Sequence, residues 1–160
     1  MTGEALLPLF RALDEHGVEY VVVGALAINL LGLPRATVDA DLFVRPTEEN
    51  VERLRRAMRA VWDDPELETL SADELAGEYA VVRYGLPEGS EVQYVDLIGH
   101  LGEAFHFGDL RTQVVEVAGV PVRVATPATL IQMKRDTLRP QDQVDAARLR
   151  ERFPELAEER

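Results

Sequence analysis

Asp39-Ala40-Asp41-Leu42-Phe43-Val44 sets two carboxylates at the head of an apolar run. Val38 to Val44 reads as a strand. Alternate residues of a strand face the same way, so both acids emerge on one face, about 6–7 Å apart at the backbone. Such a pair can converge on one cation or on two. Upstream, Glu19 to Val23 is a short β-branched run that enters Gly24-Ala25, and Leu26, Ile28, Leu30 and Leu31 continue to Gly32 as a mostly apolar helix. Gly24 stands at the strand-to-helix junction. A residue without a side chain there lets a phosphate approach the amides and the positive end of the helix, or else it serves only a tight turn. Gly32 to Thr37 is a loop, and downstream Pro46-Thr47 opens a charged amphipathic helix from Glu48 to about Trp62 with a solvated polar face.

Leu6, Leu9, Phe10 and Leu13 make Glu4 to His16 a helix stopped by Gly17. Ser71-Ala72-Asp73-Glu74 is a capping box for a short helix. Tyr79 to Tyr84 and Glu91 to Ile98 are strands separated by Pro87-Glu88-Gly89, and Gln113 to Val124 alternates around Ala118-Gly119 as a hairpin. Thr126-Pro127 caps a helix to about Leu138, and Pro140 restarts another that ends before Pro154. Helices and strands interleave, but at least two connections are hairpins. The class is therefore α+β (mixed α/β), a short mixed β-sheet flanked by helices with a helical C-terminus.

With 160 residues and 46% apolar content, the chain suits one domain, residues 1–160, able to bury a core unaided. It has no cysteine, which excludes a disulfide scaffold, a thiolate zinc site and a cysteine nucleophile. Any metal must be held by oxygen or imidazole. Its 17 Lys and Arg against 29 Asp and Glu give a net charge of −12, which argues against a protein that coats nucleic acid, although a local basic groove for RNA stays compatible. No apolar run is long enough to cross a bilayer, and Met1-Thr2-Gly3-Glu4 lacks the basic start of a signal peptide. The expectation is a cytoplasmic protein with no membrane partner.

Asp96 is a third carboxylate, inside the apolar strand Tyr94-Val95-Asp96-Leu97-Ile98, where an unpaired buried charge is costly. Singly, Asp39 reads as a turn residue, Asp41 as a strand-end charge and Asp96 as half of a salt bridge. Together the three suggest a shared cation. Two ions held by carboxylates roughly 3.5–4 Å apart activate an attacking oxygen and steady a leaving pyrophosphate, and magnesium prefers such oxygen donors. An EF-hand is a poor rival, since that loop wants an acid or amide where Phe43 stands and a glycine where Val44 stands. Of the basic residues, Arg35 can reach phosphate oxygens or be a surface arginine, and Lys134 can contact a nucleotide or snorkel beside the core. Asp142 and Asp145 share one helix face.

Val23-Gly24-Ala25, Leu33 to Asp41, the later Asp96, Met133-Lys134-Arg135 and Arg139 to Asp145 together resemble the nucleotidyltransferase superfamily. Within it they are most similar to the minimal bacterial branch allied to the abortive-infection (AbiEii-like) toxin nucleotidyltransferases. The resemblance runs from the first helix to about Phe153. It implies a nucleotidyltransferase fold in which Asp39, Asp41 and Asp96 are catalytic and ligate two Mg²⁺ ions, with Mn²⁺ as a substitute. By position Gly24, Ala25, Arg35 and Lys134 match the nucleotide-binding residues, with Asp142 and Asp145 in support. The family usually has a second Gly or a Ser where Ala25 stands, so a hydroxyl is lost while the backbone amide remains. The implied reaction transfers a nucleoside monophosphate from a nucleoside triphosphate to a hydroxyl of tRNA, protein or a small molecule, releasing pyrophosphate. A cognate antitoxin is the implied protein partner. The alternatives are a nucleotidyltransferase-like module that binds without turnover, and an acidic interaction protein. The last leaves Asp96 unexplained.

Overall fold

The computed structural model describes residues 2–77, 80–101, 105–134 and 140–158. Tyr79, Arg135, Leu138 and Arg139, which figure in the expectations above, lie outside the described residues. The elements in chain order are α1 (Thr2–Ala5), α2 (Leu7–Glu15), β1 (Tyr20–Val23), α3 (Gly24–Leu30), β2 (Asp39–Val44) and α4 (Glu48–Val61). There follow α5 (Ala72–Leu75), β3 (Val81–Gly85), β4 (Tyr94–Ile98), β5 (Thr112–Val117), β6 (Val120–Ala125), α6 (Pro127–Lys134) and α7 (Pro140–Arg152).

The strands form one mixed sheet in the order β3-β4-β2-β1-β6-β5. β2 lies antiparallel to β1 and parallel to β4, β3 and β4 make one hairpin, β5 and β6 another, and β6 joins β1 in parallel. This is the mixed sheet with flanking helices and a helical C-terminus that the sequence predicts. All four residues of β1 are buried, as a central strand covered on both faces requires. In β2 the two acids are only partly buried while Ala40, Leu42, Phe43 and Val44 are fully buried, so the polar end of the strand reaches the surface and the rest is core. Phe10 and Leu13 of α2, Ile28 of α3 and Leu54 and Met58 of α4 are also fully buried in the same cluster.

Two local contacts fix the frame of β1 and β2. Thr47 caps α4 by accepting a hydrogen bond from the Asn50 amide at 3.3 Å. Asn50, 1% exposed, accepts from the Glu19 amide at 2.7 Å and donates to the Glu19 and Arg45 carbonyls at 2.9 Å, so a buried amide is fully satisfied at the far end of the acid-bearing strand. Two expected elements differ. The first helix is broken at Leu6, where Pro8 starts a new turn because it can give no amide to the preceding one. Glu91 to Gln93 are not strand: the amides of Gln93 and Tyr94 both turn to the Val38 carbonyl, and pairing with β2 begins at Tyr94. Among the described residues no helix is long and apolar enough to cross a membrane.

Candidate active site

Register brings the three carboxylates together. Asp41 of β2 is paired with Asp96 of β4, and Asp39 lies one same-face step back along β2, opposite Tyr94. The entry to β2 is held by Thr37, whose hydroxyl accepts from the Asp39 amide at 3.1 Å and donates to the Asp39 carbonyl at 2.9 Å. Asp96 is 8% exposed. On the other side of β2, Val23 at the end of β1 is the partner of Asp41, and Gly24 follows it into α3.

Gly24 is required twice over. Its φ is +68°, a conformation that costs any residue with a Cβ, and a Cβ there would stand 2.3 Å from Asp41 Oδ2. The space that the missing side chain leaves is thus filled by the Asp41 carboxylate, where the sequence predicts room for a phosphate. Ala25 lies in the first turn of α3, partly exposed. Burial, then the charges of Asp96 and Asp39, push the Asp41 carboxyl up from 3.8 to about 6, with Arg83 partly offsetting them.

Arg83 is the residue that sequence reasoning missed. It faces Asp96 across the β3–β4 hairpin, donating from Nε to Oδ1 at 2.9 Å and from Nη2 to Oδ2 at 3.0 Å, and the same Nη2 reaches Asp39 Oδ2 at 3.3 Å. Its guanidinium lies 4.4 Å over the Tyr94 ring. The salt-bridge reading of Asp96 is therefore realised, alongside the clustering of the acids. Asp39 Oδ1 is buried with no hydrogen-bond partner among the described residues, an acceptor that a hard cation would satisfy. The all-oxygen donor set suits Mg²⁺. Among the described residues, however, no three His, Asp or Glu side chains already stand arranged around one ion position.

Arg35, Lys134, Asp142 and Asp145 form a second cluster. Asp145 is fully buried, and it accepts from Arg35 Nε at 3.1 Å, Lys134 Nζ at 3.2 Å and Gln141 Nε2 at 3.0 Å. Lys134 also donates to Asp142 at 2.8 Å. Burial alone would raise the Asp145 carboxyl; the hydrogen bonds from Gln141 and Lys134 and the charges of Lys134 and Arg35 outweigh it and hold the group below its usual range. Arg148 adds a 2.6 Å bond to the Pro34 carbonyl. The two cations expected at a nucleotide are here engaged by acids of α7, and with Arg148 they tie the C-terminal helices to the loop that leads into β2.

Residues 9–158 match the family described as nucleotidyl transferase AbiEii toxin, type IV toxin–antitoxin system. No curated protein matches the chain in sequence. Among solved structures, a Thermotoga maritima protein described as a candidate nucleotidyltransferase is similar with a TM-score of 0.56 at 15% identity, over 98% of this chain and 92% of that one. ANT(2″)-Ia, solved with adenylyl-2″-tobramycin, gives a TM-score of 0.54 at 18% identity over 93% of this chain and 87% of its own. An antigenic nucleotidyltransferase-like protein from Paracoccidioides brasiliensis gives 0.56 at 17% identity over 88% and 71%. At these identities the likeness is one of fold.

Proposed function

Because this chain belongs to the AbiEii family of nucleotidyl transferase toxins, we propose that it moves a nucleoside monophosphate from a nucleoside triphosphate to an acceptor hydroxyl in a Mg²⁺-dependent reaction. The observation that carries this reading is the register of Asp39, Asp41 and Asp96 on two adjacent strands, with an unpartnered buried oxygen on Asp39. Asp39 and Asp41 would hold Mg²⁺ together with the triphosphate, and Asp96 would complete the set. When bound, the ions lower the charge on the phosphates and steady the departing pyrophosphate.

The rest falls to the chain. The amides at Gly24 and Ala25 face the triphosphate from the start of α3. Asp96, buried and aimed at the same face, orients the acceptor hydroxyl and takes its proton. The acceptor oxygen then bonds the α-phosphorus as the bond to the bridging oxygen breaks, and that electron pair leaves with pyrophosphate. Arg35 and Lys134, neutralised by Asp142 and Asp145, keep the loop before β2 in place and so set where Asp39 and Asp41 stand. The requirement for a triphosphate pool is the reason for assigning the reaction to the cytoplasm, and the family's place in toxin–antitoxin systems is the reason for expecting a cognate antitoxin.

The test is transfer of label. The protein is incubated with each α-labelled triphosphate, Mg²⁺ and a cell extract separated into RNA, protein and small-molecule fractions, with pyrophosphate measured in parallel. Label in one fraction with stoichiometric pyrophosphate, absent for Asp39→Ala, is expected. Wild-type protein that binds triphosphate but releases no pyrophosphate with any fraction would favour the module that binds without turnover.

A further inference from the structure

We propose that Arg83 is a latch on the acidic site: its guanidinium and a divalent cation compete for Asp39 and Asp96, so Asp96 becomes available to metal and acceptor only when Arg83 lets go. This rests on the reading of the acids as metal ligands given above. The geometry is that of a closed clamp. Both oxygens of Asp96 are taken by the guanidinium fork, at 2.9 and 3.0 Å, and the bond of 3.3 Å to Asp39 Oδ2 extends the clamp to β2. Asp39 Oδ1, which is buried, has no hydrogen-bond partner among the described residues. The two parts of the site thus differ. Arg83 engages both oxygens of Asp96 but only one of Asp39, so a cation that takes up Asp96 meets the guanidinium's charge at each oxygen.

Two further features mark the contact as one that opens. The Arg83 side chain is 54% exposed while that of Asp96 is 11% exposed, so on release the guanidinium passes to water and the carboxylate does not. The arginine sits on the edge strand β3 with its guanidinium over the Tyr94 ring, and neither Arg83 nor Tyr94 belongs to the buried core. The charge balance points the same way. One guanidinium facing three carboxylates leaves the cluster anionic, and a divalent ion neutralises it more fully than the arginine does.

The test titrates Mn²⁺ alone, without nucleotide, into full-length wild type, Arg83→Gln and Arg83→Lys, following loss of the free-ion electron paramagnetic resonance signal. Because the clamp is partly exposed, its removal should tighten Mn²⁺ binding by about three- to tenfold. Arg83→Lys, a point charge without the fork, should fall between the two. Melting temperature supplies a second readout: Arg83→Gln should melt lower than wild type without metal and gain more from Mn²⁺. Equal or weaker binding by Arg83→Gln overturns the latch, since a residue that props Asp96 for metal would produce that result. If Arg83→Gln does not fold by circular dichroism, Arg83→Lys decides alone, and affinity no tighter than wild type overturns the proposal. If wild type binds no Mn²⁺, or Asp39→Ala binds it equally well, the metal-site reading falls and the latch with it.

Discussion

Asp41 holds its proton more tightly in the folded chain than an ordinary aspartate does, at about 6 against 3.8, and this gives a stability signature of known sign. Between these values the native state binds more of the proton than the unfolded state, so the contribution of Asp41 to stability falls as pH rises from about 4 to about 6. Asp41→Asn removes that term. The stability of wild type minus that of the variant, from urea unfolding of metal-free protein, should drop by on the order of 1–3 kcal/mol across the window and then level off. A difference that stays flat with pH would remove Asp41 from the carboxylate cluster. Gly24 supplies a second test. Gly24→Ala should cost about 1–2 kcal/mol through its left-handed backbone and more through the clash with Asp41 Oδ2. In an Asp41→Ala background the clash disappears and only the backbone cost remains. A double-mutant cycle should therefore show coupling, and strictly additive effects would show that the two residues do not touch.

The pairing of α6 and α7 with the loop before β2 is a matter of whole elements. Lys134→Ala takes one of the bonds to the buried Asp145 away and leaves those from Arg35 and Gln141, so it should destabilise the chain by about 1–3 kcal/mol by thermal unfolding. A melting temperature at the wild-type value would instead return Lys134 to the role of a surface lysine. Here also lies the boundary of what sequence could tell. Asp39 and Asp41 were legible because strand periodicity is local, and Gly24 because a strand-to-helix junction has a local signature. Asp96 was legible because an acid in an apolar run needs a partner. Arg83 was not, since its meaning depends on which residue of β3 falls opposite Asp96, and alternation within one strand does not set cross-strand register. Lys134 and Arg35 were recognisable as cations but not as partners of Asp145, which lies 110 residues along the chain from Arg35. The break at Leu6 was missed because the apolar spacing of the first helix runs on through a proline that ends its hydrogen bonding.

For the molecule as a whole, a net charge of −12 repels a bare triphosphate, so binding of one is coupled to the cation that accompanies it. Mg²⁺ with a triphosphate should raise the melting temperature by mass action, and Asp39→Ala should lose most of that gain. An equal gain in the variant would locate the binding elsewhere. The sheet itself is unevenly joined. β2 and β4 share five aligned pairs, whereas β1 and β6 share one, Val22 with Val124. That thin seam divides the sheet into an acid-bearing half and a hairpin half. In hydrogen–deuterium exchange the β5–β6 hairpin should open as a unit at lower free energy than β1, β2 and β4, exposing its amides while the carboxylate face stays closed. Uniform protection across the seam would show that the sheet breathes as one body. If the hairpin does open first, unfolding begins on the side of the molecule farthest from Arg83, and the acidic strands are the last to lose their order.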